Sequence, residues 1–166
     1  MASLVKQRIF DLVHDIIEGP MCLDKAILLA VVAHAGQKDK GNNSYIRHPL
    51  RVMEQMDGEY EMCVAVVHDV VEDTEFALSD LRVLGFTQDQ IDAMDALTKR
   101  EGEDYLDSIR NRVAPSVVSS KVKEKDIRDN MALWRLKNRK LTEKDMTRMQ
   151  NYIDALELLG KLRARG

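Results

Sequence analysis

Cysteine is scarce in this chain. Only Cys22 and Cys63 occur in 166 residues, far apart and in apolar surroundings. They make no C-x-x-C pattern and no disulfide framework. That excludes a disulfide-stapled fold and predicts a reducing, cytoplasmic setting. Long apolar runs are missing as well. The longest extends from Ile27 to Ala33, too short to span a bilayer. The N-terminal stretch M-A-S-L-V-K-Q-R-I-F carries basic residues, but Asp11, His14 and Asp15 interrupt the apolar run beyond it, so it does not read as a signal peptide. Charge excess is small: 25 Lys and Arg stand against 28 Asp and Glu, for a net charge of -3. No global electrostatic case then exists for nucleic acid or a membrane surface as partner. Strand alternation, internal repeats, low-complexity runs and linkers are all missing. Histidine is rare, with His14, His34, His48 and His68 making the full set.

What the chain does have is helical punctuation. Apolar residues make up 45% and charged residues 32%, ordinary for a globular protein of a length that buries a real core. Ser3 is placed to cap a first helix reaching about Glu18, with Ile9, Leu12, Val13, Ile16 and Ile17 on one apolar face. Gly19-Pro20 ends it. A second helix is predicted over Asp24 to Gln37, followed by the polar loop K-D-K-G-N-N-S. His48-Pro49 opens a third helix, which Asp57-Gly58 closes. Ser79 is read as the cap of a short helix ending at Gly85. Thr87 begins another, with Gln90 placed as in a capping box. Glu103 to Val113 reads as helix, and Pro115 to Leu136 as one helix or two. Thr142 opens the last helix, with Met146, Met149, Ile153 and Leu156 as its apolar seam. The expected architecture is one all-α domain, a helical bundle over residues 1–166.

The stretch around which this is organised is M-C-V-A-V-V-H-D-V-V-E-D-T, Met62 to Thr74. Its unbroken apolar start predicts a buried helix. Buried acids are rare unless paired or bound to metal, yet His68, Asp69, Glu72 and Asp73 fall within six residues. On a continuous helix His68 lies under Glu72 and Asp69 under Asp73. A solvated helix end accounts for Glu72 and Asp73 equally well on these residues alone. His14 sits among charges, as a surface residue would. His34 on an apolar helix reads as a hydrogen-bonded core histidine. His48 stands at a helix start 20 residues before His68, well placed to turn inward. Further on, Asp126 and Asn130 share one helix face, with Ile127 and Met131 on another.

The ordered set His48, His68-Asp69 and Asp126 resembles the H…HD…D pattern of HD-domain metal phosphohydrolases. The segments H-A-G-Q (34–37), Y-I-R-H-P-L (45–50), H-D-V-V-E-D-T (68–74), L-G-F (84–86), L-T-K (97–99) and D-x-x-x-N-M (126–131) resemble, more closely, the hydrolase domain of RelA/SpoT proteins over roughly residues 24–134. A lone H-D would be a weak signal; this ordered series is a specific one. The resemblance implies four metal ligands, His48, His68, Asp69 and Asp126, and an acidic catalytic pair, Glu72 and Asp73. It implies one divalent transition ion, manganese, and substrate contacts from Lys40, Tyr45 and Asn130. Two imidazoles with two carboxylates suit such an ion better than magnesium. The length leaves no room for a synthetase or regulatory domain, so a stand-alone small alarmone hydrolase like the metazoan SpoT homologues is expected. Its substrate would be a small nucleotide, guanosine 3',5'-bis(diphosphate), ppGpp. The alternative is another nucleotide such as NADPH or a nucleoside phosphate.

Some positions depart from the family. Asp39 stands where an Arg usually stacks on guanine, Asn42 to Ser44 lengthen the loop, and Lys125 replaces a small residue. These bear on base selectivity more than on the metal ligands. Position 129, commonly His, is Asp here. The alignment, not helical geometry, selects Asp126 over Asp129 as ligand. Asp129 is expected to pair with Arg128 or a neighbouring basic side chain.

Overall fold

A computed structural model describes residues 4–16, 19–136 and 140–164. Ser3, Ile17 and Glu18, the expected cap and last residues of the first helix, lie outside them. The described chain is helical, and its only extended pairing is an isolated antiparallel bridge between Lys38 and Ser44. The helices are α1 (Leu4–Ile16), α2 (Leu23–Ala33), α3 (Arg47–Met53), α4 (Glu59–Val67), α5 (Val70–Asp73), α6 (Leu78–Val83), α7 (Gln88–Leu97), α8 (Tyr105–Ser108), α9 (Val117–Asn130) and α10 (Glu143–Arg163). A π-helical turn, Ile109–Val113, continues α8, and a 3-10 turn, Leu133–Leu136, follows α9. Among the described residues no helix is long and apolar enough to cross a membrane.

Helix α4 is the hub. Cys63, Val64, Ala65, Val66 and Val67 are all buried, and α2 and α3 pack on it. Burying each valine side chain is worth about 1.5–3 kcal/mol before chain entropy is counted. Helix α9 crosses α3, α4 and α7, and α10 packs on α8 and α9. Two hydrophobic clusters result. The larger gathers around α4. The smaller holds Ile109, Val113, Ile127, Ala155 and Leu159. Helix α9 belongs to both, through Val122 in the first and Ile127 in the second.

Several element ends differ from expectation for identifiable reasons. Helix α2 stops at Ala33, before Gln37, because Gly36 takes a left-handed φ of 81° that ends helical geometry. Helix α3 ends at Met53, short of Asp57-Gly58. Ser79 lies inside α6; the first turn is closed instead by Asp80 Oδ2, which accepts from Ala77 N at 2.6 Å. Thr87 with Gln90 and Thr142 with Asp145 do form capping boxes. In α10 the expected seam holds in part, with Leu156 packed on the smaller cluster, and the buried face is turned from the rest of it. Met146 and Ile153 are 60% and 43% exposed, while Ala155 and Leu159 are buried with Tyr152 beside them. In α1, Val13 is buried and Ile9 packs beneath it, but Leu12 faces outward.

Candidate metal centre and its cleft

The central stretch is not one helix. Helix α4 ends at Val67, His68 and Asp69 form a turn, and α5 starts at Val70. The Ala65 carbonyl, which in a continuing helix accepts from the Asp69 N–H, here accepts from His68 Nδ1 at 2.6 Å. The ring thereby draws a backbone acceptor out of the helix and brings His68 and Asp69 to one point. This corrects the expected stacking of His68 under Glu72. Glu72 instead reaches α7's end, where its Oε2 accepts from Lys99 N at 2.9 Å.

His48 enters from the first turn of α3 and Asp126 from the last turns of α9. Suitable atoms of His48, His68 and Asp69 all lie within 4.8 Å of one another. His48 Nε2 is 3.5 Å from Asp69 Oδ2 and 3.2 Å from Asp126 Oδ1. His68 Nε2 is 3.2 Å and 3.8 Å from the same two oxygens. His48, His68 and Asp126 are buried. The four residues singled out by order in the sequence are thus adjacent in space.

The donor chemistry of this cluster fits a cation. His68 Nδ1 faces a carbonyl, which only accepts, so Nδ1 carries the proton and the neutral ring turns a lone pair inward from Nε2. Among the described residues that buried Nε2 has no hydrogen-bond partner. His48 Nδ1 lies 2.6 Å from Asp129 Oδ2, so its Nε2 faces the same point. Two lone pairs and two carboxylates converge where only a positive charge satisfies them all. Burial opposes the charged ring of His48, but Asp126, Asp129 and Asp69 outweigh it and raise His48 to about 11. Burial likewise opposes the charged ring of His68, and Asp69 and Asp126 raise it to about 9. Asp69 and Asp126 sit well below the ordinary carboxyl value. For Asp69 burial is overcome by His68 and His48; for Asp126 it is overcome by Lys123 and both histidines.

Asp69 and Asp126 of the cluster line the floor of a cleft of about 790 Å3, which lies where the two hydrophobic clusters meet. Glu72 and Asp73 line it, as do Lys40, Tyr45 and Asn130. The Tyr45 hydroxyl lies 2.6 Å from Asp69 Oδ2 and 2.9 Å from Asp73 Oδ2, and its single proton serves one at a time. Asn130 Nδ2 donates to Asp126 Oδ1 at 2.5 Å, so its amide steadies a cluster carboxylate. The remaining histidines behave as expected. His14 is exposed near Asp15. His34 is buried against Tyr45, with Nδ1 2.8 Å from Gln37 Oε1, and burial lowers its pKa.

Sequence reasoning passed over Lys123. Lys123 lines the cleft and holds Asp126 Oδ2 at 2.9 Å; burial resists its charge, but Asp126 raises its pKa. The signal available was the spacing, since three residues on α9 place Lys123 and Asp126 on one face. Asp129 pairs with basic side chains as expected, with Arg51 and Arg135 rather than Arg128, which pairs with Glu124; it is buried and also meets His48. Asp39 is not a solvated loop residue. Its Oδ1 accepts from the N–H groups of Gly41 and Asn43, and its Oδ2 lies 3.5 Å from Arg135.

Comparison with known proteins agrees with this fold. A metazoan ortholog of SpoT, described as hydrolysing ppGpp and playing a role in starvation responses, matches 90% of this chain and 99% of its own, with a TM-score of 0.65 and 21% identity. The GTP pyrophosphokinase of Streptomyces antibioticus is 30% identical over 151 residues, covering 83% of this chain and 18% of the relative. That of Streptomyces coelicolor is 39% identical over 64 residues, 36% of this chain and 8% of the relative. The chain therefore spans only a small part of the length of these curated relatives. No family model matches the chain. With the fold of the SpoT ortholog and the H…HD…D order above, this chain is an all-helical, HD-type domain resembling the hydrolase domain of RelA/SpoT proteins.

Proposed function

We propose that this chain is a metal-dependent pyrophosphohydrolase that removes the 3'-diphosphate of ppGpp. One observation carries the reading: two buried imidazoles, each with Nδ1 already committed, aim Nε2 at Asp69 and Asp126 on the floor of a cleft. His48, His68, Asp69 and Asp126 are the residues that would hold the ion. Manganese is the ion of the resembled family and suits this mixed nitrogen and oxygen set. Such an ion acts as a Lewis acid and lowers the pKa of a water by several units.

The chain's own groups account for the rest. Asp73, held by Tyr45, and Glu72, held at the Lys99 backbone, present carboxylates at the cleft to orient the attacking water and take its proton. Lys38, Lys40 and Lys99 line the same cleft and supply positive charge for phosphate oxygens. Water oxygen bonds to the phosphorus next to the 3' oxygen, the bond from phosphorus to that oxygen breaks, and the proton passes to the 3' oxygen. The products are pyrophosphate and GDP. The two hydrophobic clusters share α9, which supports reading the chain as one hydrolase domain. Two unpaired cysteines accord with a cytoplasmic setting.

One observation favours a second reading, in which another nucleotide is the substrate. Asp39 occupies the position of the guanine-stacking Arg, and its carboxylate is turned into the loop and towards Arg135. Nothing from position 39 then selects guanine. The test is turnover of ppGpp, NADPH and nucleoside monophosphates by the same protein, with manganese and with chelator. The primary reading expects ppGpp to give GDP and pyrophosphate faster than the others react. Inertness towards ppGpp alongside turnover of another nucleotide would establish the second reading and reject the first.

A further inference from the structure

One helical turn of α9 grips both edges of a single imidazole. Asp126 Oδ1 is 3.2 Å from His48 Nε2, and Asp129 Oδ2 is 2.6 Å from His48 Nδ1. We propose that Asp129 is a positioning residue for the metal centre, fixing the tautomer and orientation of His48, and that Arg135 locks Asp129 and links it to the cleft loop. The inference rests on the metal reading above.

The carboxylate of Asp129 is held from three sides. Arg51 Nε donates to Oδ1 at 2.6 Å and Arg51 Nη2 to Oδ2 at 2.9 Å. Arg135 Nη1 donates to Oδ2 at 2.8 Å and to the Asp129 backbone oxygen at 3.1 Å. Two guanidinium groups keep this carboxylate ionised, and an ionised carboxylate only accepts. The proton of a neutral His48 therefore sits on Nδ1, and Nε2 turns its lone pair towards Asp69 and Asp126. Hydrogen bonds of this kind orient histidine ligands and raise their basicity. The other histidine is secured differently. His68 Nδ1 is held by the Ala65 backbone carbonyl, so no side-chain exchange at its partner can release it. Only His48 depends on a replaceable group.

The link continues to the loop. Arg135 is buried, and its Nη2 lies 3.5 Å from Asp39 Oδ2. In the resembled family, position 39 is usually Arg and position 129 commonly His. Here both are Asp, and both face Arg135. Asp39 and Asp129 form an acidic pair around a buried guanidinium, running from the cleft loop to the His48 ring.

The test compares the full chain with Asp129→Asn, Asp129→Ala and the control Ile127→Ala. Ile127 is buried beside these residues but offers no polar group to His48. Manganese affinity is measured on metal-stripped protein, the His48 Nδ1 proton is followed by nitrogen-15 NMR before metal is added, and thermal melting confirms folding. The asparagine variant retains volume but loses charge and fixed acceptor character. Both Asp129 variants should bind manganese about 10–100-fold more weakly and lose the protected ring proton. Ile127→Ala should melt earlier yet bind nearly as well as the parent. Wild-type affinity and an intact ring proton in folded Asp129→Asn would overturn the proposal. So would an equal loss of affinity in Ile127→Ala. If Asp129→Ala does not fold, Asp129→Asn decides. If the parent binds no manganese, the metal reading fails, and the ring proton alone decides the positioning role: its loss on Asp129→Asn supports that role and its persistence overturns it.

Discussion

Glu72 and Asp73 are adjacent in sequence but are held by different neighbours. Glu72 reaches the backbone of Lys99, and Asp73 shares the Tyr45 hydroxyl with Asp69. Neither approaches the two Nε2 atoms as Asp69 and Asp126 do. Glu72→Gln and Asp73→Asn should each lower turnover by about 10²-fold or more while leaving bound metal unchanged. Turnover and metal content should be read on the same samples; loss of the ion in both variants would make the pair ligands. At this scale the quartet of His48, His68, Asp69 and Asp126 was legible because its residues keep a family order along the chain. The particular partners of Asp129 were not. Arg51 and Arg135 come from a different helix and from the turn beyond α9, and helical periodicity is silent about both. Asn130 was legible as a site residue, but its amide serves Asp126 in the structure.

Elements were legible where they carry local chemistry. Thr87 and Thr142 cap their helices because a hydroxyl meets the free N–H three residues on, an interaction written within four residues of sequence. The break after α4 was not legible, because a ring nitrogen competing for a backbone carbonyl leaves no trace in apolar periodicity. The turned face of α10 has a similar origin. Two neighbouring stripes of that helix carry apolar residues, and only packing chooses the one with Ala155 and Leu159. The loop between α2 and α3 yields a prediction of its own. A Cβ on Gly41 would collide with the Arg135 backbone oxygen, a contact that forces backbone to move. Gly41→Ala should destabilise the protein by about 1–3 kcal/mol, seen as a lower Tm. An unchanged Tm would mean that the loop does not pack on Arg135 as described.

For the whole molecule, the cleft exists because α9 bridges two hydrophobic clusters and presents its polar face between them. Placing acids there makes stability depend on pH. The two guanidinium groups and His48 outweigh burial and hold Asp129 below its ordinary value near 3.8, and Asp69 and Asp126 are also depressed. The folded state then binds these protons less readily than the unfolded chain. Their stabilisation is complete above the unfolded values and is lost as pH falls through the folded ones. The Tm of the metal-free protein should drop as pH goes below about 4, and Asp129→Asn should show a shallower drop. Identical acid slopes for parent and variant would contradict the assigned environment of Asp129.

In the proposed function His48, His68, Asp69 and Asp126 hold one ion, and release of pyrophosphate from ppGpp requires it. Metal content and ppGpp turnover, measured together on the parent chain and on Asp126→Asn, test this most directly. The parent should carry one divalent ion and release pyrophosphate with GDP in a chelator-sensitive way, and the variant should do neither. Turnover that survives complete metal removal, or an Asp126→Asn protein that keeps both its ion and its activity, would contradict the proposed function.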